Sequence, residues 1–275
     1  MVFTGCWTGI WFVTGGICVS GLLVYLVQRL FPEAVLRTGH DATGNLLSIV
    51  GTLYAVLLGL IVVDAMVRFE RAVDIVQQES NCLADIFLLA ERLPEPYRTG
   101  VQDHCRIYAD TVVHEEWELM QRARMSVKAR RTALQLVRSL DAFEPETETQ
   151  KAVFPLLLEQ VRDLWDRRRE RATMAQYGIP AIEWAALVIG AAVTVLFAGL
   201  FSVGNARLQT LLTSLVALVI GLNLYLVCLF GYPYAGELSV ASRPFKIDVA
   251  IFEGAFDRAP AHAGETHHGP ATTAP

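Results

Sequence analysis

The residues His114, Glu115, Glu116, Trp117 and Glu118 begin like HExxH, the helical pattern in which two histidines one turn apart hold zinc and the glutamate between them acts as a base. Position 118 is glutamate, so the second metal ligand is missing. His104 and His114 lie about 80° off a common helical face, which gives no paired ligand set either. The five cysteines, Cys6, Cys18, Cys82, Cys105 and Cys228, are scattered without a CxxC pair and read as packing residues. There is no phosphate-cradling loop, GxSxG elbow or glycine-rich dinucleotide turn. No nucleophile, base and oxyanion donor can be assembled, so the sequence predicts no enzyme, no cofactor and no metal, and His267 and His268 near the end make no metal site.

The charges that carry information are instead Asp64, Arg68 and Arg71. Asp64 lies near the far end of the apolar run LLSIVGTLYAVLLGLIVV. A carboxylate costs a few kcal/mol at mid-bilayer and less toward either surface. Arg68 is one turn on, and such an i, i+4 pair contributes tenths of a kcal/mol in water. Asp64 therefore has two readings, a paired boundary residue or part of an ion pathway.

At about 100° per residue, Ser48, Gly51, Thr52, Ala55, Gly59 and Val62 share one sector, a small-residue face that lets membrane helices approach closely. Leu53, Leu57 and Leu60 lie opposite, followed on the same side by Asp64, Arg68, Arg71, Ile75 and Glu79. Facing a central axis, the leucines would form an apolar constriction and the arginines a basic ring attracting anions. Facing lipid or a neighbouring helix, they are ordinary lipid contacts and a solvated surface.

These residues belong to a helix predicted over 46–67 within the membrane and onward in water to about 92, since a hydrocarbon core of roughly 30 Å needs about 20 residues of helix. The composition agrees: 53% of the 275 residues are hydrophobic and the mean hydropathy is +0.38. The net charge of −5 argues against a nucleic-acid partner. An uncharged run over 7–28 gives a first span, retained because no basic residue precedes it. A turn holding Pro32, Gly39, His40, Asp41, Gly44 and Asn45 separates the two spans.

Apolar stripes then predict a helical domain over 68–178. Val76, Leu83, Ile86, Phe87 and Ala90 form one face; after a break at Pro94 and Pro96, Val101, Cys105, Tyr108, Val112 and Leu119 form another. A shorter helix follows over 126–140, then the acidic connector DAFEPETETQ and a last helix over 147–176. Runs over 183–203 and 208–230 complete four spans. Residues 231–258 read as extended chain and 259–275 as a disordered, low-complexity tail. Glu183 beside Trp184 reads as interfacial, and Asn223 as a hydrogen bond to another helix.

Arg68, Arg71, Arg167, Arg168, Arg169, Arg171, Arg243 and Lys246 lie on one side of the spans, against Arg29, Arg37 and Arg207 on the other, which places the domain and both termini in the cytoplasm. The RRRER run also reads as a contact for anionic lipid.

Four segments carry a resemblance: GLIVVDAMVRFERAVDIVQQES, LPEPYRTGVQDHCRIYADTVVHEEWELM, the RRRER stretch before the third span and YPYAGELSVASRPF after the fourth. In order and spacing, from about Leu22 to Phe252, they resemble the bacterial bestrophin-like membrane family. That resemblance implies a relation to bestrophins, pentameric anion channels whose second transmembrane helix lines the pore and continues into a cytoplasmic vestibule. The departures are specific. Tyr54 is the only aromatic between Leu46 and Val63, and Glu237, Asp248, Glu253 and Asp257 are too dispersed for a calcium clasp.

The expectation is an all-α integral membrane protein of the bacterial inner membrane, with four transmembrane helices and a cytoplasmic helical bundle between the second and third. Its partners are the lipid bilayer, copies of itself, a pentamer by resemblance, and anions. The function expected is an oligomeric anion-permeable channel lined by the second helix; the alternative is a membrane-anchored helical scaffold or signalling subunit. Pore or gating candidates are Leu53, Leu57, Leu60, Asp64, Arg68 and Arg71, with Ser48, Gly51, Ala55 and Gly59 as the packing face.

Overall fold

The computed structural model describes residues 6–30, 40–201 and 205–254. Expectations for the turn over 31–39, for residues 202–204 and for the tail from 255 lie outside these residues. The described chain is helices and connecting turns, with no strand among them. In order they are α1 (Cys6–Leu30), α2 (His40–Leu89), α3 (Tyr97–Thr111), α4 (Trp117–Met120), α5 (Val127–Ser139), α6 (Glu148–Gln176), α7 (Ala181–Leu200), α8 (Ala206–Gly231) and α9 (Arg243–Phe252). A 3-10 turn at Ala90–Arg92 follows α2, and a π-helical turn at Val112–Glu116 joins α3 to α4.

The spine is α2. Its 50 residues extend about 75 Å at 1.5 Å per residue, more than twice a hydrocarbon core. No Pro falls within it, and no Gly after Gly59. His40, Asp41 and Asn45, expected in a turn, belong to its first turns instead. Gly44 does not break the helix there; a Cβ at that position would meet the Phe201 ring at 3.0 Å, so the glycine serves close packing.

Stretches Thr43–Arg92, Glu148–Leu200 and Arg207–Gly231 are long and apolar enough to cross a membrane, by length and composition. In α1 the described apolar stretch is Thr14–Val27. The apolar end of the molecule packs α1 along α8, and both α7 and α8 against the first half of α2. Tyr54 lies at its centre, buried with Leu58, Leu187, Ile220, Leu224 and Val227, and its hydroxyl donates to the Leu187 carbonyl at 3.2 Å. The ring rests on α7 at Gly190, where an added Cβ would come within 2.3 Å of it. Asn223 donates to Val219 O of its own helix, not to another one.

The second core gathers α3 to α6 and α9 around the far half of α2. Thr147 caps α6 in a capping box with Gln150, and Ser126 caps α5 by accepting from Ala129 N at 3.2 Å. The predicted stripe on α3 holds through Val112, but Met120 is buried where Leu119 was expected, and Leu119 is half-buried. The π turn inserts one residue into the helical phase and moves the inward face by one position.

After α8 the chain is irregular to Ser242 and then helical over Arg243–Phe252, where extended chain was expected. Ile247, Val249 and Ile251 alternate with period two, which reads as extended; the buried residues are Phe245, Asp248 and Phe252, at helical spacing. Pro244 stands within the first turn, where its missing N–H costs nothing.

Candidate functional site

Where α2 enters the second core, it is anchored by charge. Arg171 on α6 is fully buried and reaches Glu79 of α2 with Nε at 2.6 Å and Nη2 at 2.9 Å. The same Nη2 donates to Glu116 at 2.7 Å, and Nη1 approaches Met120 Sδ at 3.0 Å. One turn earlier, Arg168 holds both oxygens of Glu116, at 2.8 and 2.7 Å, and donates to the Tyr108 hydroxyl at 3.0 Å. Tyr108 in turn donates to Glu79. The backbone N–H of Ser126 completes the shell on Glu116 at 3.0 Å. Two carboxylates and two guanidiniums cancel, and nearly every polar position has a partner. A buried ion group is tolerated only under those conditions.

The local sequence explains the placement. Arg168 and Arg171 are one turn apart on α6, and the π turn rotates Glu116 inward between them. Trp117 and Phe245 lie 5.7 and 5.8 Å from the Arg171 guanidinium. Burial alone would push Glu116 up, but Arg171 and Arg168 hold its carboxyl below the usual range. Burial likewise opposes the charge of Arg171, yet Glu79 and Glu116 hold it well above the ordinary arginine value.

These contacts correct two expectations. Glu79 is not on a solvated face but fully buried. Arg168 and Arg171 of the RRRER run contact no lipid surface; they are core residues. The sequence reading missed this group because it took the arginine run for an interfacial feature and tested the HEEWE segment only as a metal motif. Triplet spacing of arginines opposite a glutamate was the available signal.

The outward side of α2 is open. Leu53 and Leu60 are 67% and 65% exposed; Asp64 and Arg71 are exposed, while Leu57 and Arg68 are half-buried. Asp64 accepts from Arg68 at 3.4 Å. Arg71 pairs with Glu170, which also holds Arg167 at 3.3 Å. On the small-residue face Ser48, Ala55 and Gly59 are exposed and Gly51 half-buried, and a Cβ at Gly51 or Gly59 would meet nothing within 4 Å. At Gly51 and Gly59 that face leaves room for another helix, while Val62 on the same face packs against the core around Tyr54.

A longer pattern runs through both ends. Leu46, Ile49, Leu53, Val56, Leu60, Val63, Val67, Glu70, Asp74, Gln77, Asn81 and Leu88 are all exposed. Apart from the half-buried Ala84 between the last two, they recur at alternating spacings of three and four, the seam of a heptad repeat. It is apolar to Val67 and polar from Glu70 to Asn81, before Ala84 and Leu88. The repeat was legible in the sequence; a search by 100° sectors splits it, because a 3.5 repeat drifts across a straight helix.

Among the described residues no cluster of three or more His, Cys, Asp or Glu side chains is placed to hold a metal ion. Cys18, Cys82, Cys105 and Cys228 are free thiols.

No curated protein matches the chain. Its fold matches a bacterial bestrophin homologue from Klebsiella pneumoniae: a point variant of that protein aligns with a TM-score of 0.65 at 12% identity, over 88% of this chain and 99% of that one. A second variant gives 0.65 at 10% identity over 87% and 98%, and the structure phased by zinc anomalous scattering gives 0.62 at 12% over 88% and 98%. At such identity the likeness is one of fold. The model of the Bestrophin-like domain matches residues 17–245, and with that match over most of its length the chain belongs to the Bestrophin-like family.

Proposed function

We propose that this membrane protein forms a homo-oligomeric ion channel in the bacterial inner membrane, with the exposed seam of α2 turned toward a central axis. Four spans, α1, the first half of α2, α7 and α8, carry it, and the second core with both termini lies in the cytoplasm. The observation that carries the reading is the seam: apolar positions Leu53, Val56, Leu60 and Val63 stay uncovered by the chain itself, and the polar positions Glu70, Asp74, Gln77 and Asn81 continue the same line for about four further turns. A helix anchored on one side by a buried ion group and bare on the other is built to meet copies of itself or water.

The seam's charges bear on the ion. Arg68 and Arg71, the expected anion-attracting ring, both have carboxylate partners. Glu70 and Asp74 on the seam have no cationic partner among the described residues. A ring of these carboxylates favours cations; the anion-permeable reading that the resemblance implies would draw its selectivity from the apolar neck instead.

Purified protein in liposomes tests both points. Ion flux that changes with Leu60→Ala supports the channel, and a reversal potential that moves toward anions in Glu70→Gln with Asp74→Asn supports the seam as its lining. A confirmed oligomer that passes neither cations nor anions overturns the proposal and favours the scaffold.

A further inference from the structure

We infer that the groove between α5 and α6 binds an organic anion that carries a flat ring beside a phosphate or carboxylate. The groove encloses about 450 Å³ and is lined by Arg130, Arg168, Arg169, Trp165, Leu134 and Met125, among others. That volume lies within the range of small-ligand sites, which pair an apolar wall with a few convergent polar groups.

Charge sets the sign of the ligand. Three arginines line the groove and no acidic residue does. Arg168 is neutralised by Glu116. Arg169 is exposed, and its nearest carboxylate, Asp166, is 3.9 Å away. The Arg130 side chain has no hydrogen bond or ion pair among the described residues. Helix α5 offers it none locally, since VKARRTALQLVRS contains no acid. An unpaired guanidinium such as Arg130, with the loosely held Arg169 beside it, fits phosphate or carboxylate oxygens.

Trp165 sets the shape. It is half-buried against the second core, and its indole N–H has no acceptor among the described residues. That N–H is not among the buried polar atoms without a partner, so it stays open to water or to an acceptor on a ligand. With Leu134 and Met125 it forms an apolar wall on which a ring can lie while the anionic group meets Arg130 and Arg169. This site is independent of whether α2 lines a pore.

The test is calorimetric titration of the full-length, detergent-solubilised protein with phenyl phosphate and with inorganic phosphate. Saturable binding of one phenyl phosphate per chain, tighter than inorganic phosphate, is the expected result. Arg130→Gln with Arg169→Gln weakens it by about tenfold or more, the usual loss for charge-assisted hydrogen bonds. Trp165→Phe narrows the preference for the ring, and Arg138→Gln, on the same helix outside the groove, changes nothing. Absence of saturable binding, or equal weakening by Arg138→Gln, overturns the inference. So does loss of the oligomer in the double arginine variant with binding unchanged, which would assign the face to contact with the acidic 141–149 segment of another copy.

Discussion

Replacing Arg171 by methionine removes one member of a four-charge group with no solvent to compensate. Glu79 loses both of its guanidinium contacts, at 2.6 and 2.9 Å, and keeps only the Tyr108 hydroxyl. Glu116 loses one donor but keeps Arg168 at two oxygens. The core is left with one excess negative charge, centred on Glu79. Breaking a buried pair in this way costs about 3–5 kcal/mol, against a typical domain stability of about 5–15 kcal/mol. Urea unfolding of the detergent-solubilised protein, followed by tryptophan fluorescence, reads the loss. The pH dependence identifies its cause. In Arg171→Met the excess negative charge is buried without a counter-charge. The variant is then worst in alkali, where that charge is fully present, and recovers in acid, where protonation of the group removes it. The unmodified protein behaves in the opposite sense: Glu116 is held low, so its contribution is present above the unfolded carboxylate pKa and is lost as pH falls through the folded one. The double variant Glu79→Gln with Arg171→Met recovers part of the loss at pH 8. A cost under about 1 kcal/mol, or an equal cost at pH 5 and pH 8, would refute the reasoning.

Further outcomes follow from other buried contacts. Asp248 accepts from Ser80 at 2.5 Å, and burial pushes its pKa from 3.8 up to about 6, with the Ser80 hydrogen bond pulling the other way. Its stability contribution is present below pH 3.8 and lost as pH rises through about 6. Asp248→Asn therefore stabilises the fold above pH 6 and leaves it unchanged near pH 4, in unfolding curves recorded at both. Gly190→Ala drives a methyl group into the Tyr54 ring and lowers the melting temperature in detergent; Gly190→Ala with Tyr54→Leu recovers it. Thr147→Ala removes the α6 capping box at a cost of about 1 kcal/mol in the same unfolding assay.

The helices were legible because their signals are local. Apolar runs and the Pro94 and Pro96 break each act within a turn or two of themselves. What was lost needs information from several elements at once. Glu79 and Arg171 are 92 positions apart, and each has the exposed appearance that charged residues usually keep. The π turn compounds this, because a single inserted residue shifts the helical phase and turns Glu116 into the core. On α9 the alternation of Ile247, Val249 and Ile251 masked a stripe that only burial of Phe245 and Phe252 distinguishes.

The two halves of α2 obey one geometric rule under different solvents. Its buried line runs Tyr54, Leu58, Ala65, Ala72, Val76, Glu79 and Leu83, and the heptad seam lies on the far side. In the apolar half, the inner line is held by the ring of Tyr54 against α7; in the polar half, by Arg171 on Glu79. Both fix the rotation of the helix about its own axis, one by shape and the other by charge. A helix fixed at both ends cannot turn its seam inward to hide Leu53 or Leu60, so those leucines stay available only to lipid, to another copy or to a pore. The change from Val67 to Glu70 marks where that choice ends, because a glutamate and an aspartate within two turns of the last apolar seam position are stable only in water or beside cations. Asp64 and Arg68 pair one step before that boundary, which neutralises the last charges that would otherwise stand within the apolar half.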